Sequence, residues 1–108
     1  MPLWDYSTMS TFTAIADPVR RDILALLREG EQPAGALVEA LALPQPNVSK
    51  HLKALHAAGL VSIRVDGPRR LYRLDPAPLA ELDAWLSPYR EFWSDKLDAL
   101  GDHLLRSD

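Results

Sequence analysis

Apolar residues recur at helical spacing through the first 42 positions, in three segments separated by turn-forming residues. The first segment covers about 10–16. The second begins at Asp17-Pro18, which pairs a favoured N-cap with a favoured first helical residue, and it ends at Gly30. The third covers about 33–42 and is rich in leucine and alanine. The pattern therefore predicts three helices in this part of the chain.

Residues 44–59 predict a fourth helix with two unlike faces. Val48, Leu52 and Leu55 fall at i, i+4 and i+7 and form a narrow apolar stripe. Small polar and basic side chains lie on the other side, and Gly59 can supply a left-handed stop. A helix of this kind, joined by a tight turn to the helix before it, predicts a helix-turn-helix whose second member suits a DNA major groove.

The hydrophobic period changes to two after this helix. Apolar and polar residues alternate over 61–65, which is a strand pattern, and residues 70–74 can return as a second strand. Asp66-Gly67 is a hairpin turn signal, and Pro68 favours a loop longer than two residues. The predicted order is ααααββα: mainly α with a small β-hairpin, a winged helix-turn-helix.

The final segment carries a long apolar stripe that begins after a second Asp-Pro pair, Asp75-Pro76. Ser87-Pro88 interrupts it, as a kink or as a fresh helix start. The stripe can cover the domain's own core, or it can be shared between the core and a partner. We favour the second alternative and a homodimer, because large aromatic-rich apolar surfaces usually mark interfaces. The expected interface residues are Phe12, Leu79, Leu82, Trp85, Leu86, Tyr89, Phe92, Trp93, Leu97, Leu100 and Leu104.

Composition and charge narrow the function classes. The chain has 108 residues and no cysteine, which excludes disulfides, thiolate metal sites and a cysteine nucleophile. No apolar run approaches the ~20 residues of a membrane span, and no signal peptide is visible, so we expect a cytoplasmic location. The net charge is −3, but residues 44–74 carry six basic residues and one acidic residue. This local excess favours contact with phosphates.

We expect an N-terminal extension at 1–9, a DNA-binding region at 10–75 and a dimerisation region at 76–108, all in one domain.

The candidate DNA contacts lie on the fourth helix and the hairpin. Asparagine and glutamine can pair with adenine and lysine with guanine, whereas serine and arginine suit phosphates. Helix capping and solvation are the alternatives for the helix residues, and a solvated turn is the alternative at the hairpin tip. For His51, a hydrogen bond at a helix–helix seam is as good an interpretation as a phosphate contact. The candidates are Gln45, Pro46, Asn47, Ser49, Lys50, His51, Lys53, Arg64, Arg69 and Arg70.

Two basic residues near the start of the second helix, Arg20 and Arg21, have two interpretations. They can pair with acidic neighbours or reach the DNA backbone. Catalysis has little support, since Ser49 and His51 are two apart on a helix and cannot face each other. No glycine-rich phosphate loop or nucleophile elbow is present. The rival hypotheses are a winged-helix module that binds protein instead of DNA, and an enzyme or metal-binding protein.

Three stretches in order, residues 12–27 (FTAIADPVRRDILALL), 48–61 (VSKHLKALHAAGLV) and 67–74 (GPRRLYRL), resemble the ArsR/SmtB family of winged-helix bacterial transcription regulators. The resemblance implies a cytoplasmic homodimer, formed by the first and last helices, that represses transcription at an operator.

The chain departs from the metal-sensing members of that family. Where arsenic and metal sensors carry cysteines, this chain has Pro33 and Gly35. The last helix has Glu81 and Asp83 early and a lone His103, not the family's paired ligand set. The chain is more similar to the metal-free subgroup, which implies no metal and no cofactor. An unidentified small-molecule effector near the aromatic residues of the last helix is the remaining candidate partner.

Overall fold

The computed structural model describes residues 10–106, with side chains described for residues 10–97. The expected extension at 1–9 and the side chains of Leu100, His103 and Leu104 lie outside the described residues. The elements are α1 (Thr11–Ile15), α2 (Pro18–Arg28), β1 (Gln32–Pro33), α3 (Ala34–Leu41), α4 (Gln45–Ala57), β2 (Val61–Asp66), β3 (Arg69–Leu74) and α5 (Ala77–Arg106). The prediction of a mainly helical chain with a hairpin between its last two helices is confirmed.

Asp17 starts α2 as the sequence predicts. Its Oδ1 accepts hydrogen bonds from the backbone N–H groups of Val19 at 2.8 Å and Arg20 at 3.2 Å. Desolvation raises the pKa of Asp17, but these two donors and the positive charges nearby outweigh it and hold the pKa below the ordinary 3.8. The cap therefore contains an ionised carboxylate, which satisfies the first N–H groups of the helix.

The turn between α3 and α4 depends on a left-handed residue that is not glycine. Ala42 ends α3 with φ of 55°, and its N–H donates to the carbonyl of Val38 at 2.9 Å. Such a conformation costs an ordinary residue about 1–2 kcal/mol, so packing of the two helices must outweigh it.

The apolar faces of α2, α3 and α4 meet in one core, together with the residues that lead into β2. Its largest fully buried members are Ile23, Leu37, Val48, Leu52, Leu55 and Leu60.

The sheet contains three strands in the order β1-β3-β2, so the prediction of a two-stranded hairpin alone was incomplete. In the missed strand, Gln32 pairs with Tyr72 and Pro33 with Leu71. Two residues are too few to produce an alternating pattern, and a proline is tolerated there because the strand lies at an edge. The ladder joins the middle of β3 to the segment that precedes α3.

The hairpin loop is shorter than predicted. Asp66 pairs directly with Arg69, which leaves only Gly67 and Pro68 between the strands. Gly67 has φ of 60°, and a left-handed first central residue is what a tight hairpin turn needs. The prediction of a longer loop was wrong because the fixed φ of proline suits the second central position of this turn.

The last helix, α5, continues through Pro88 without a break. Ser87-Pro88 therefore does not begin a new helix, which excludes one of the two interpretations of this pair. At 30 residues, α5 extends about 45 Å at 1.5 Å per residue. No helix among the described residues is long and apolar enough to cross a membrane.

Candidate nucleic-acid interface

The two faces of α4 are separated in the way the sequence predicts. Val48, Leu52 and Leu55 are buried in the core. The opposite side is in solvent and carries both lysines of the helix. Its exposed members are Gln45, Pro46, Asn47, Ser49, Lys50, Lys53 and His56. Exposure makes base or phosphate contact by these side chains feasible, and the contacts themselves stay a prediction.

The N-terminus of α4 offers few backbone donors. Pro44 is the N-cap and Pro46 lies in the first turn, so two N–H groups are missing. The N–H of Asn47 donates to the carbonyl of Pro44 at 3.0 Å. The first turn contains no acidic residue, so the positive end of the helix dipole is not neutralised there. We therefore expect anions at this end to be held by side chains more than by backbone groups.

A groove of about 500 Å³ lies between α4 and the hairpin. One wall is formed by Ser49, Lys53 and His56, which lie at i, i+4 and i+7 on one side of α4. The other wall is the face of the sheet that carries the paired residues Ile63 and Tyr72. His56, Ile63 and Tyr72 were not among the contact residues predicted from the sequence. The spacing of His56 from Ser49 and Lys53 was the available signal. The lining residues are Ser49, Leu52, Lys53, His56, Ile63, Arg70 and Tyr72.

The hairpin arginines lie on different faces. Arg70 is paired with Val65 and lines the groove beside α4. Arg69, one residue earlier, alternates to the opposite face and forms an ion pair with Asp66 at 3.7 Å. Arg64 also lies on that face, opposite Leu71. Of the three predicted contacts on the hairpin, Arg70 alone lines the α4 groove.

Arg64 is held by a carboxylate 33 positions earlier in the chain. Its Nε donates to Oε2 of Glu31 at 3.1 Å, and its Nη2 donates to Oε1 at 2.6 Å. These hydrogen bonds hold the pKa of Glu31 below the ordinary 4.5, against an opposing effect of desolvation, and the same pair raises the pKa of Arg64. A DNA contact by Arg64 would require this two-point pair to open.

The ion pair between Glu31 and Arg64 should make the free energy of unfolding depend on pH in the acid range. Because the folded-state pKa of Glu31 is lowered, the stabilisation is complete above pH 4.5 and disappears as the pH falls through the folded-state value. We expect Glu31→Gln to unfold at lower urea than the wild type at neutral pH and to match it in acid. Urea titrations at several pH values measure this difference. Arg64→Gln should give the same profile, and a difference that is independent of pH would contradict the prediction.

His51 lies at the seam between α4 and α2. Its Nδ1 accepts a hydrogen bond from Nε of Arg20 at 3.2 Å, which is the seam interpretation of the sequence analysis. Among the described residues, Arg21 forms no ion pair with an acidic side chain. Its Nη1 donates to the carbonyls of Ile15 at 2.9 Å and Ala16 at 3.3 Å. It therefore caps the end of α1.

The expected interface residues divide between the core and the surface. Leu79 packs against the core cluster, and Leu82 and Leu86 are half-buried. Phe12 meets Trp85 edge-on, with ring centroids 4.9 Å apart. The large apolar residues of this set that stay exposed are Phe12, Trp85, Tyr89, Phe92, Trp93 and Leu97.

A metal site has no support among residues 10–97. No group of three or more His, Cys, Asp or Glu side chains in that range is placed to hold a metal ion. Pro33 is the N-cap of α3 and Gly35 is exposed in its first turn, where neither can act as a side-chain ligand. The absence of a metal from the functional protein stays a prediction.

The helix pair α3–α4, followed by a basic hairpin that forms a groove with the second helix, defines a winged helix-turn-helix protein. Residues 17–62 match the family model described as "Bacterial regulatory protein, arsR family". The HTH-type transcriptional regulator Rv2034 of Mycobacterium tuberculosis is 43% identical over 84 residues, which cover 78% of this chain and 76% of the relative. The chain therefore belongs to the ArsR family, and it is a DNA-binding transcriptional regulator, not an enzyme.

The chain is also similar to a repressor and to a homodimeric DNA-binding domain of known structure. The transcriptional repressor SdpR of Bacillus subtilis is 35% identical over 77 residues, covering 71% of this chain and 86% of SdpR. The solution structure of the homodimeric winged helix-turn-helix DNA-binding domain Mb0332 from Mycobacterium bovis is 32% identical, with a TM-score of 0.60 and 74% coverage of each chain. Both similarities include the helix-turn-helix region of this chain.

Proposed function

We propose that the protein is a homodimeric repressor that binds a palindromic operator in cytoplasmic DNA, with α4 in the major groove and the hairpin on the flanking backbone. One observation carries the proposal: the exposed polar and basic face of α4 continues into a groove that Arg70 lines from the hairpin. Side chains on α4 would choose the sequence, and Lys53 with the hairpin arginines would supply the salt-dependent attraction. In this division residues 10–75 form the DNA-binding region, with Phe12 of α1 also part of the dimer surface, and residues 76–108 form the dimerisation region.

The dimer is supported by the exposed aromatic surface that α1 and α5 share, residues Phe12, Trp85, Tyr89, Phe92, Trp93 and Leu97. Leaving so many large apolar side chains in water is unfavourable for an isolated domain. A second copy related by a two-fold axis would cover them. Binding of both α4 helices to one palindromic site would require them to lie about 34 Å apart, one turn of DNA. The homodimeric neighbour and the repressor among the relatives support the same assembly and the same direction of regulation.

The proposed repressor responds to something other than a thiol-bound metal, because the chain has no cysteine. A cavity of about 390 Å³ beside Trp85 is the candidate place for a small-molecule effector. It lies between α1, the end of α4 and the first turns of α5, next to the proposed dimer surface. Its lining residues are Ser10, Thr11, Phe12, Ala58, Pro78, Glu81, Leu82 and Trp85.

A mobility-shift titration tests the proposal. The protein should bind its own upstream region more tightly than a random duplex of equal length, by a factor within the 10³–10⁷ typical of specific regulators at physiological salt. Binding of neither duplex at low salt would refute it and favour the protein-interaction module. Stoichiometric metal in the purified protein would refute the metal-free part alone.

The hairpin should contribute to binding of all DNA sequences alike. We expect Arg69→Ala combined with Arg70→Ala to weaken binding to operator and random duplex by similar factors. Each lost phosphate contact should make the slope of log K against log salt less negative by about 0.9. Fluorescence anisotropy at several salt concentrations measures the slope. Arg28→Ala, an equal change of charge per residue at the far end of α2, is the control, and an unchanged slope in the double variant would remove the hairpin from the mechanism.

A further inference from the structure

We propose that Arg20 binds a DNA phosphate on the side of α4 opposite the hairpin, and that His51 is the positioning residue that holds it there. The proposal rests on the proposed function, since it takes α4 to lie in the major groove. It reassigns His51, a candidate DNA contact in the sequence analysis, to a role that acts through Arg20.

Arg20 lies beside the flank of α4 that faces away from the hairpin. Ser49 and His56 line the groove toward the hairpin, so they mark one flank of the helix. His51 follows Ser49 by two positions, about 200° around a helix of 3.6 residues per turn. It therefore lies on the other flank, and Arg20 meets it there at 3.2 Å. The exposed face of α4 is bordered by Arg70 on one side and Arg20 on the other.

The Arg20 guanidinium is held at one edge by its hydrogen bond to His51. Its Nε is used by Nδ1 of His51, which fixes the plane of the guanidinium and leaves the Nη1 and Nη2 groups available as donors. Among the described residues, no carboxylate forms an ion pair with Arg20 within 4.0 Å, and Asp17 accepts backbone N–H groups. A planar guanidinium held at one edge is well suited to a phosphate.

The shape of the major groove determines which phosphates lie beside α4. The major groove is about 12 Å wide, and a helix lying in it has a phosphate backbone on each side. The hairpin arginines can serve one backbone only. Arg20 supplies a cation at the other flank, so a contact there would fix the helix from both sides and set its register on the bases.

The alternative is that Arg20 only closes the seam between α2 and α4. Salt dependence separates the two roles, because a purely structural bond changes affinity without changing the number of phosphates neutralised. For binding to a random duplex, Arg20→Gln should make the slope of log K against log salt less negative by about 0.9 for each protomer bound. Arg28→Gln, which removes the same charge from an exposed position on the same helix, should leave the slope unchanged.

His51 is tested by rescue. His51→Ala should weaken binding in the wild-type background and have little further effect in the Arg20→Gln background. His51→Gln should restore part of the loss, because its amide oxygen can accept from Nε of Arg20. Equal effects of His51→Ala in both backgrounds would overturn the positioning role.

A measurement on the wild-type protein keeps the proposal testable if Arg20→Gln does not fold. Methylphosphonate groups, which are uncharged, are placed one at a time along each strand of the preferred duplex. Loss of affinity at phosphates on both sides of the occupied major groove is expected, and loss on the hairpin side alone would overturn the proposal. The two proposals can fail separately. Suppose that the wild type binds DNA and that Arg70→Ala makes the slope of log K against log salt less negative. If Arg20→Gln then has the same slope as Arg28→Gln, this inference fails and the proposed function stands. If wild type binds no duplex, the proposed function itself fails.

Discussion

Replacing Phe92 with aspartate should convert the protein to a folded monomer whose operator affinity is about 10²–10⁴-fold lower. Phe92 is 68% exposed, so the substitution removes little from the core of one protomer. In the proposed dimer it would place a charge in an apolar interface, which is strongly unfavourable. The affinity falls because two linked binding elements gain about that factor over separate ones.

Analytical ultracentrifugation and an operator titration measure the two parts of this prediction. Ser94→Asp is the matched control, because it adds the same carboxylate to an exposed position on a different side of α5. The control should stay dimeric and bind DNA as the wild type does. A dimeric Phe92→Asp with unchanged affinity would contradict the assignment of this surface.

Leu52→Ala should lower the free energy of unfolding by about 2–5 kcal/mol, the range for a buried leucine truncated to alanine. Leu52 is 2% exposed and belongs to the core cluster that α4 shares with α2 and α3. The remaining cavity would loosen the helix that carries the proposed DNA contacts, so operator binding should weaken as well. Urea unfolding measures the change, with all variants at one protein concentration because a dimer's stability depends on it.

The neighbouring exposed residue supplies the control for this variant. Lys53→Ala should change the free energy of unfolding by no more than about 0.5 kcal/mol while it weakens binding to all DNA. The two adjacent variants therefore separate the buried and exposed faces of α4. A loss of several kcal/mol in Lys53→Ala, or none in Leu52→Ala, would contradict the orientation of the helix.

The elements that the sequence predicted well are those specified by neighbouring residues. Asp17-Pro18 starts α2 where expected because a cap needs only the first helical turn. The stripe of Val48, Leu52 and Leu55 orients α4 because helical periodicity is a local property. The helix-turn-helix and the wing followed from such signals alone.

Features that depend on distant residues were not predictable. The partners in the Arg64–Glu31 pair are 33 positions apart, and those in the Arg20–His51 bond are 31 apart. Neither pairing has a periodicity that a sequence pattern can reveal. Strand β1 was missed for the same reason, since only its pairing with β3 defines it.

The aromatic stripe of α5 shows a different limit. Leu79, which packs on the core, and Phe92, which is exposed, belong to the same helical repeat. An apolar residue facing its own core and one facing a partner have the same side chain and spacing. The fold alone separates them, because within the part of α5 whose side chains are described Leu79 lies against the core and Phe92 does not.

The most direct test of the central claim is selection of preferred sequences from a random duplex library by wild type, Asn47→Ala and Lys50→Ala. The account predicts that wild type selects an inverted repeat with half-site centres about 10 base pairs apart. Each variant should lose its base preference at one position in each half-site, and the two positions should be related by the symmetry of the repeat. Each lost base contact should reduce the discrimination against the wrong base by about 1–3 kcal/mol. Identical sequences selected by all three proteins would contradict the claim that α4 determines the sequence recognised.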